Sequence, residues 1–234
     1  MAGGVIVAID TSMGGVGVAA ARGDEPPAEM FVPGLRAQQA LGALEEVLKG
    51  VGADRREIKA VVACVGPGFF TGLRVGLALA KGLGVGLGVE LVGVGSLEAI
   101  AAGLGLGKGR VWVVADARRG LVYAGCYELT GTLPRVLEPD LAATPARLAP
   151  LMQPPAIVVG TGARMYWEQL GRQGLELAPA WAELPRPAVL LELGRMRLAE
   201  GGAVEPGELK ARYCRPSDAE ERFGLPLDGY NLLR

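Results

Sequence analysis

Val5-Ile-Val-Ala-Ile-Asp10-Thr-Ser-Met-Gly14-Gly-Val16-Gly-Val18-Ala and Val111-Trp-Val-Val-Ala-Asp116-Ala-Arg-Arg-Gly120-Leu-Val122-Tyr-Ala124-Gly superpose without a gap. Asp10 falls on Asp116, Gly14 on Gly120 and Val16 on Val122. Each copy is an apolar run ending in Asp, a short polar turn with glycine, and a second run of small or apolar residues. That pattern predicts a β-hairpin whose turn carries the acid. The segments downstream of the two copies are also similar. After the first come an amphipathic helix near Leu35 to Val51, with Leu41, Leu44, Val47, Leu48 and Val51 on one face, and a strand at Ala60 to Val65. A helix at Thr71 to Gly86, a strand at Glu90 to Val94 and a helix capped by Ser96 complete that half. After the second come a helix near Thr144 to Met152, a strand at Ala156 to Val159, a helix from Arg164 and one near Ala188 to Glu200. The implied fold class is α/β, duplicated, with two lobes each built on a mixed sheet with flanking helices. The seam is placed in Gly103 to Gly109, giving lobes 1–105 and 106–234. The competing reading is two unrelated hairpins that share common residues.

Composition narrows the chemistry. The chain has 234 residues, enough for a sizeable core, and 24 basic against 25 acidic residues leave a net charge of −1. No whole-molecule field draws in nucleic acid or an anionic membrane. Histidine is absent, which removes Ser-His-Asp and Cys-His catalysis, histidine metal sites and imidazole proton transfer. Cys64, Cys126 and Cys214 lie far apart with no CxxC pair, so neither a disulfide framework nor a zinc site is expected and a reducing compartment is. The apolar region from Val75 to Gly107 is broken by Lys81, Glu90 and Glu98, short of the roughly 18 uninterrupted apolar residues of a membrane span. A cytoplasmic protein is the expectation. The 37 glycines and 16 prolines carry no period and predict many tight turns and close backbone contacts.

Val61-Val-Ala-Cys-Val-Gly66-Pro67-Gly68-Phe-Phe-Thr71-Gly72-Leu-Arg74-Val-Gly76 reads as a buried strand, a Gly-Pro-Gly turn and a helix opening at Thr71. Such a turn aims backbone N–H groups and a helix N-terminus at one spot, which suits an anion; a plain tight turn with Thr71 as cap is the alternative. The two Asp-bearing turns suit phosphate or Mg²⁺ in the same way. Gly72, Gly76, Ala80 and Gly84 recur every four positions and so line one face of the helix. Glycine in a helix costs about 1 kcal/mol relative to alanine, so close approach of another backbone is expected there. The partner on that face is read as a second protein ahead of the chain's own core.

Ala8-Ile-Asp10-Thr11-Ser12, Gly66-Pro-Gly-Phe-Phe-Thr71-Gly-Leu-Arg74-Val-Gly76, Ser96-Leu97-Glu98, Asp116-Ala-Arg118-Arg-Gly120-Leu-Val-Tyr123, Gly160-Thr-Gly162-Ala and Tyr213-Cys-Arg215-Pro-Ser-Asp-Ala219-Glu220 occur in this order. Together they resemble the TsaB (YeaZ) family, the dimerisation subunit of the bacterial complex that makes threonylcarbamoyladenosine in tRNA. The resemblance implies an actin-like, ribonuclease H-like (ASKHA) fold. It also implies a paralogous partner, TsaD, that binds metal through a histidine pair and carries the transfer chemistry beside the anticodon. This chain would then be a non-catalytic scaffold, with no metal or catalytic residue of its own.

In the family, the helices corresponding to Arg36 to Lys49 and Thr71 to Gly86 form a bundle with the same helices of TsaD, or of a second copy. That assigns the dimer interface to Leu41, Leu44, Leu48, Thr71, Gly72, Leu73, Val75, Gly76 and Ala80. Asp10, Thr11, Ser12, Gly66, Gly68, Asp116 and Arg118 match phosphate-type turns, with ATP or ADP and Mg²⁺ expected only at the interface with TsaD. Tyr213 and Arg215 are placed at a contact to TsaD or to the ATPase subunit TsaE, and tRNA is reached only through the complex. Phe69, Gln38 and Gln39, and Thr161 stand where the family often has serine, histidine and an acid, which weighs against independent ATP hydrolysis. The alternative function is a small actin-like phosphotransferase using Asp10 and Asp116.

Overall fold

In a computed structural model, which describes residues 3–105, 108–131, 133–216, 223 and 230–233, the Asp10 hairpin is formed by β1 (Val5–Asp10) and β2 (Gly15–Arg22). β3 (Ala28–Pro33) continues the meander, while β4 (Ile58–Gly66) and β5 (Glu90–Gly95) add in parallel on the other side of β1. The strand order is β3-β2-β1-β4-β5. The second sheet holds β6 (Gly109–Asp116), β7 (Val122–Leu129), β8 (Arg135–Ala143), β9 (Ala156–Val159), β10 (Leu175–Leu177) and β11 (Leu232–Leu233). Its order is β10-β9-β6-β7-β8-β11. Taken from β8 to β10 this repeats the first sheet strand for strand, so the duplication seen in the hairpins is a duplication of topology.

The two hairpins differ by one residue. Asp10 pairs with Gly17, whereas Asp116 pairs with Val122. The gapless superposition would put Tyr123, not Val122, opposite Asp116, so the second turn is one residue shorter. β3 and β8 are not expected from the sequence. β8 contains Pro139, which normally speaks against a strand; here the pairing steps from Cys126↔Glu138 to Ala124↔Leu141, and the irregularity absorbs the proline.

The chain divides into two units, Met1–Ala99 with Pro185–Arg212, and Ile100–Leu184 with Tyr213–Arg234. A second lobe running continuously from 106 to 234 therefore does not describe it. The physical reason lies in β1, every residue of which is buried. Val5, Val7 and Ile9 face α1 (Ala40–Gly50) and α2 (Phe70–Leu87). The opposite face needs its own cover, and α7 (Pro187–Ala199) supplies it. Gly194 of α7 lies so close to the Val62 side chain that any Cβ would collide with it.

Helix boundaries obey local chemistry. A 3₁₀ turn, Ala37–Gln39, precedes α1, and the Arg36 N–H donates to Gln39 Oε1 (3.3 Å). α2 starts at Phe70, with Phe69 in the cap position and no side-chain cap, so Thr71 lies in the first turn and does not cap it. Gly88, with φ +65°, ends the helix in the left-handed conformation that glycine tolerates. The helix expected at Thr144 to Met152 is the short α4 (Pro145–Leu148) plus a 3₁₀ turn. The one expected from Arg164 is split into α5 (Thr161–Met165) and α6 (Trp167–Leu170). α3 (Ser96–Gly103) continues directly from β5. By length and composition α2 could cross a membrane; here its inner side rests on β4.

Candidate functional site

The Asp10 turn is closed from above by the Gly66 loop and α2. Ser12 N–H donates to Asp10 Oδ1 (2.8 Å), which folds the chain into a tight turn at the end of β1. The Phe69 N–H then donates to Ser12 O (2.8 Å), and the Thr11 hydroxyl donates to Gly72 O (2.7 Å). A Cβ at Gly68 would stand 2.5 Å from Ser12 O, and one at Gly72 or Gly76 would collide with Thr11. Gly66, at φ +98°, lies under Leu73 and Arg212 O in the same way. The glycines of this motif are thus explained by contact between two stretches of the chain. Asp10, Thr11 and Ser12 are 2%, 5% and 0% exposed. The sequence residues Asp10, Thr11, Ser12, Gly66 and Gly68 do come together, but as a sealed joint and not as an open phosphate cradle. At Gly68, Gly72 and Gly76 it is Ser12 and Thr11 that stand where a side chain would begin.

Burial pushes the Asp10 carboxyl above its ordinary value, against the lowering effect of the hydrogen bonds from Ser12; Cys64, buried beside it, is pushed well up by burial and by the Asp10 charge. A raised folded pKa favours the protonated acid in the fold. Its contribution is fully present below the unfolded carboxylate pKa of about 3.9 and is lost as pH rises through the folded value. Asp10→Asn keeps an oxygen for Ser12 N–H and removes the charge. Its melting temperature should exceed the parent's at pH 8, with the gap closing toward pH 4; an equal or reversed difference at pH 8 would show that the charge is satisfied.

In the second unit Arg118 N–H donates to Asp116 Oδ1 (2.8 Å), the same i to i+2 bond as at Asp10. Asp116 N–H is received by Thr161 Oγ1 (3.0 Å). Arg118 and Arg119 both have positive φ, 62° and 54°, and the turn closes through Leu121 N–H to Arg118 O (3.0 Å). Asp116 is half-buried and Arg118 exposed. The site residues Asp116 and Arg118 therefore form one local turn. Gly160 and Gly162 press against the backbone of Val114 and Ala115, which repeats the glycine-on-turn packing of the first unit.

Two further pieces tie the first unit together. The Ser96 hydroxyl donates to Pro67 O (2.5 Å), and Glu98 takes both 2.6 Å contacts from Arg197 Nη2, whose Nη1 donates to Gly93 O (2.5 Å). The Ser96-Leu97-Glu98 motif is structural, and Arg197 escapes sequence reasoning because 99 residues separate the partners. Tyr213 and Arg215 are half-buried; residues 217–220 of the quoted tail motif lie outside the described residues.

The residues assigned to the dimer interface separate into two sets. Leu44, Leu48, Leu73, Gly76 and Ala80 are buried in the protomer, Gly72 is packed on Thr11, and only Leu41, Thr71 and Val75 face outward to any degree. The Gly72, Gly76, Ala80, Gly84 row meets the chain's own sheet: Gly84 lies against Leu91 at 2.8 Å for an added Cβ. A second small row, Ala78, Gly82 and Gly86, with Val85 at 72% exposure, points the other way. Cβ atoms at Gly82 and Gly86 would meet nothing within 4 Å. The sequence does carry a signal for it, since 78, 82 and 86 share the same spacing of four, two positions and about 200° around the helix from the first row. Among the described residues no group of three or more His, Cys, Asp or Glu could hold a metal ion.

These features define a class: duplicated actin-like, ribonuclease H-like α/β proteins, here with the first-lobe turn sealed and an apolar helix face left open. The family model described as "TsaD: tRNA N6-adenosine threonylcarbamoyltransferase" matches residues 36–190. The tRNA threonylcarbamoyladenosine biosynthesis proteins TsaB of Bacillus subtilis (strain 168) and Escherichia coli (strain K12) are each 30% identical, over 93% of this chain and 97% of theirs. The solved structure of YeaZ from Pseudomonas aeruginosa superposes with a TM-score of 0.80 at 28% identity, covering 90% of this chain and 99% of that one. The chain belongs to the TsaB family.

Proposed function

We propose that this chain is a non-catalytic subunit that supports formation of N6-threonylcarbamoyladenosine in tRNA by docking its α1–α2 face on a TsaD transferase. When TsaD is absent, the same face pairs with a second copy. The supporting observation is the outer row of α2. Ala78, Gly82 and Gly86 expose a helix whose glycines lower its stability by about 1 kcal/mol each and gain nothing in return within the protomer. A neighbouring helix that approaches closely, with Val85 and Leu41 buried alongside, supplies the compensation. The names of the relatives and the match to the TsaD model favour a TsaD as that neighbour.

The reading as a phosphotransferase is disfavoured by the sealed Asp10 turn, which leaves that carboxylate no route to a nucleotide. Any ATP or ADP with Mg²⁺ is assigned instead to the interface with TsaD. TsaE is taken to join the complex, with tRNA reached through it, in the cytoplasm. The test is size-exclusion chromatography with light scattering on the chain alone and mixed with the TsaD of the same genome, followed by a transfer assay on each fraction. A one-to-one complex that alone modifies tRNA is the expected outcome. Absence of a complex, or ATP hydrolysis by the chain alone, would overturn it.

A further inference from the structure

We propose that the carboxy-terminal residues 230–233 are a detachable guard on a strand-pairing surface, the outer edge of β8 from Asp140 to Thr144, and that this edge pairs with its own copy in a second chain when the guard is off. Among the described residues, β11 is the strand of the second sheet that has no counterpart in the first. The orders β3-β2-β1-β4-β5 and β8-β7-β6-β9-β10 correspond, and β11 lies beyond β8.

The counterpart edge shows what the guard is for. β3 is six residues long and ends in Pro33, which has no N–H to offer a neighbour. β8 runs for nine residues. Its exposed first part carries Arg135, Glu138 and Pro139, charges and a proline of the kind that keep sheet edges from pairing with other molecules. From Leu141 to Ala143 the strand is apolar and has no such side chain. β11 sits on that part. Ala142 N–H donates to Asn231 O (2.7 Å), Thr144 N–H donates to Leu233 O (3.3 Å), and Asn231 Nδ2 donates to Asp140 O (2.8 Å).

The outward groups of this stretch are complementary to themselves. Ala142 N–H, Thr144 N–H and Asp140 O all point to the side that β11 occupies. When two copies of β8 lie antiparallel about a two-fold axis at Ala142, that residue faces itself, and each Thr144 N–H faces Asp140 O of the second copy. Every donor that the tail now satisfies then finds an acceptor. The tail's own hold is slight: its paired residues are Leu232 and Leu233, the latter 38% exposed. It keeps the edge because a segment of the same chain competes at an effective concentration on the order of 1 mM, which a second chain in dilute solution does not reach.

The experiment compares the full chain with the double variant Asn231→Ala, Leu233→Pro, which removes the side-chain bond to Asp140 O and one strand N–H while changing only exposed residues. Amide exchange by nuclear magnetic resonance and light scattering are read over a range of concentrations. In dilute solution the Ala142 and Thr144 amides of the variant should exchange about tenfold faster than the parent's or more, with β6 amides unchanged. As concentration rises, the mass should grow beyond the parent's and the same two amides should slow again, which places the contact on β8 and not on the α1–α2 face. Unchanged exchange at both amides, acceleration that spreads to β6, an opened edge with no growth in mass, or growth that leaves the two amides fast would each overturn the proposal.

Discussion

Gly72→Val should leave the first unit unfolded at temperatures where the parent is stable. The added Cβ falls on the carbonyl oxygen of Thr11, a backbone atom that cannot rotate away. Thr11 is held by its own bond to Gly72 O and sits in a turn that Ser12 and Phe69 lock from both sides. Relief requires lifting α2 off the sheet, which exposes Leu73, Leu77 and Ala80. Overpacking of a core costs about 1–3 kcal/mol where side chains can shift, and a backbone collision combined with the lost Thr11 bond should exceed that range. Urea unfolding followed by circular dichroism reads it directly; a midpoint near the parent's would mean that the joint at Thr11 is loose. Gly76→Leu belongs with it, since that side chain would drive into Thr11 and not into a partner.

Gly82→Arg is the counterpart with opposite consequences. A side chain there meets nothing in the protomer, and leaving glycine for a good helix former should raise stability by about 1 kcal/mol. On the docking face the same arginine places a charge and a long stem where two helices must close to backbone distance. Loss of the one-to-one complex with TsaD, by at least a hundredfold in affinity or about 2.7 kcal/mol, is the expected result. A variant that is more stable alone yet cannot pair separates the outer row from a merely structural role. If it pairs as the parent does, the interface lies elsewhere.

The hairpins, the duplication and the Gly66 strand-to-helix turn can all be read from residue spacing, because period and turn chemistry are local. Which side of α2 a glycine row faces cannot. Two rows with the same spacing, 72-76-80-84 and 78-82-86, carry the same periodic signal, and only the position of the Thr11 backbone distinguishes them. The Asp10 turn shows a related limit: an acid with Thr and Ser after it looks like a phosphate turn until the segment that fills it, 56 residues later at Gly66, is placed in space. β8 is hidden by Pro139, and the place of α7 by the long stretch of chain that separates it from the strands it covers. The Glu98 to Arg197 pair depends on that same long return of the chain.

The return of residues 185–212 to the first unit bears on how the protein is made. A ribosome releases the first sheet, β1 to β5, long before α7, yet the face carrying Val62 has no cover until Gly194 emerges. During synthesis of residues 100–184, the β1 face opposite Val5, Val7 and Ile9 stays open to water and to chaperones. Folding of the sheet β1 to β5 is therefore tied to residues 185–212, which are made after the segment 100–184 of the other unit.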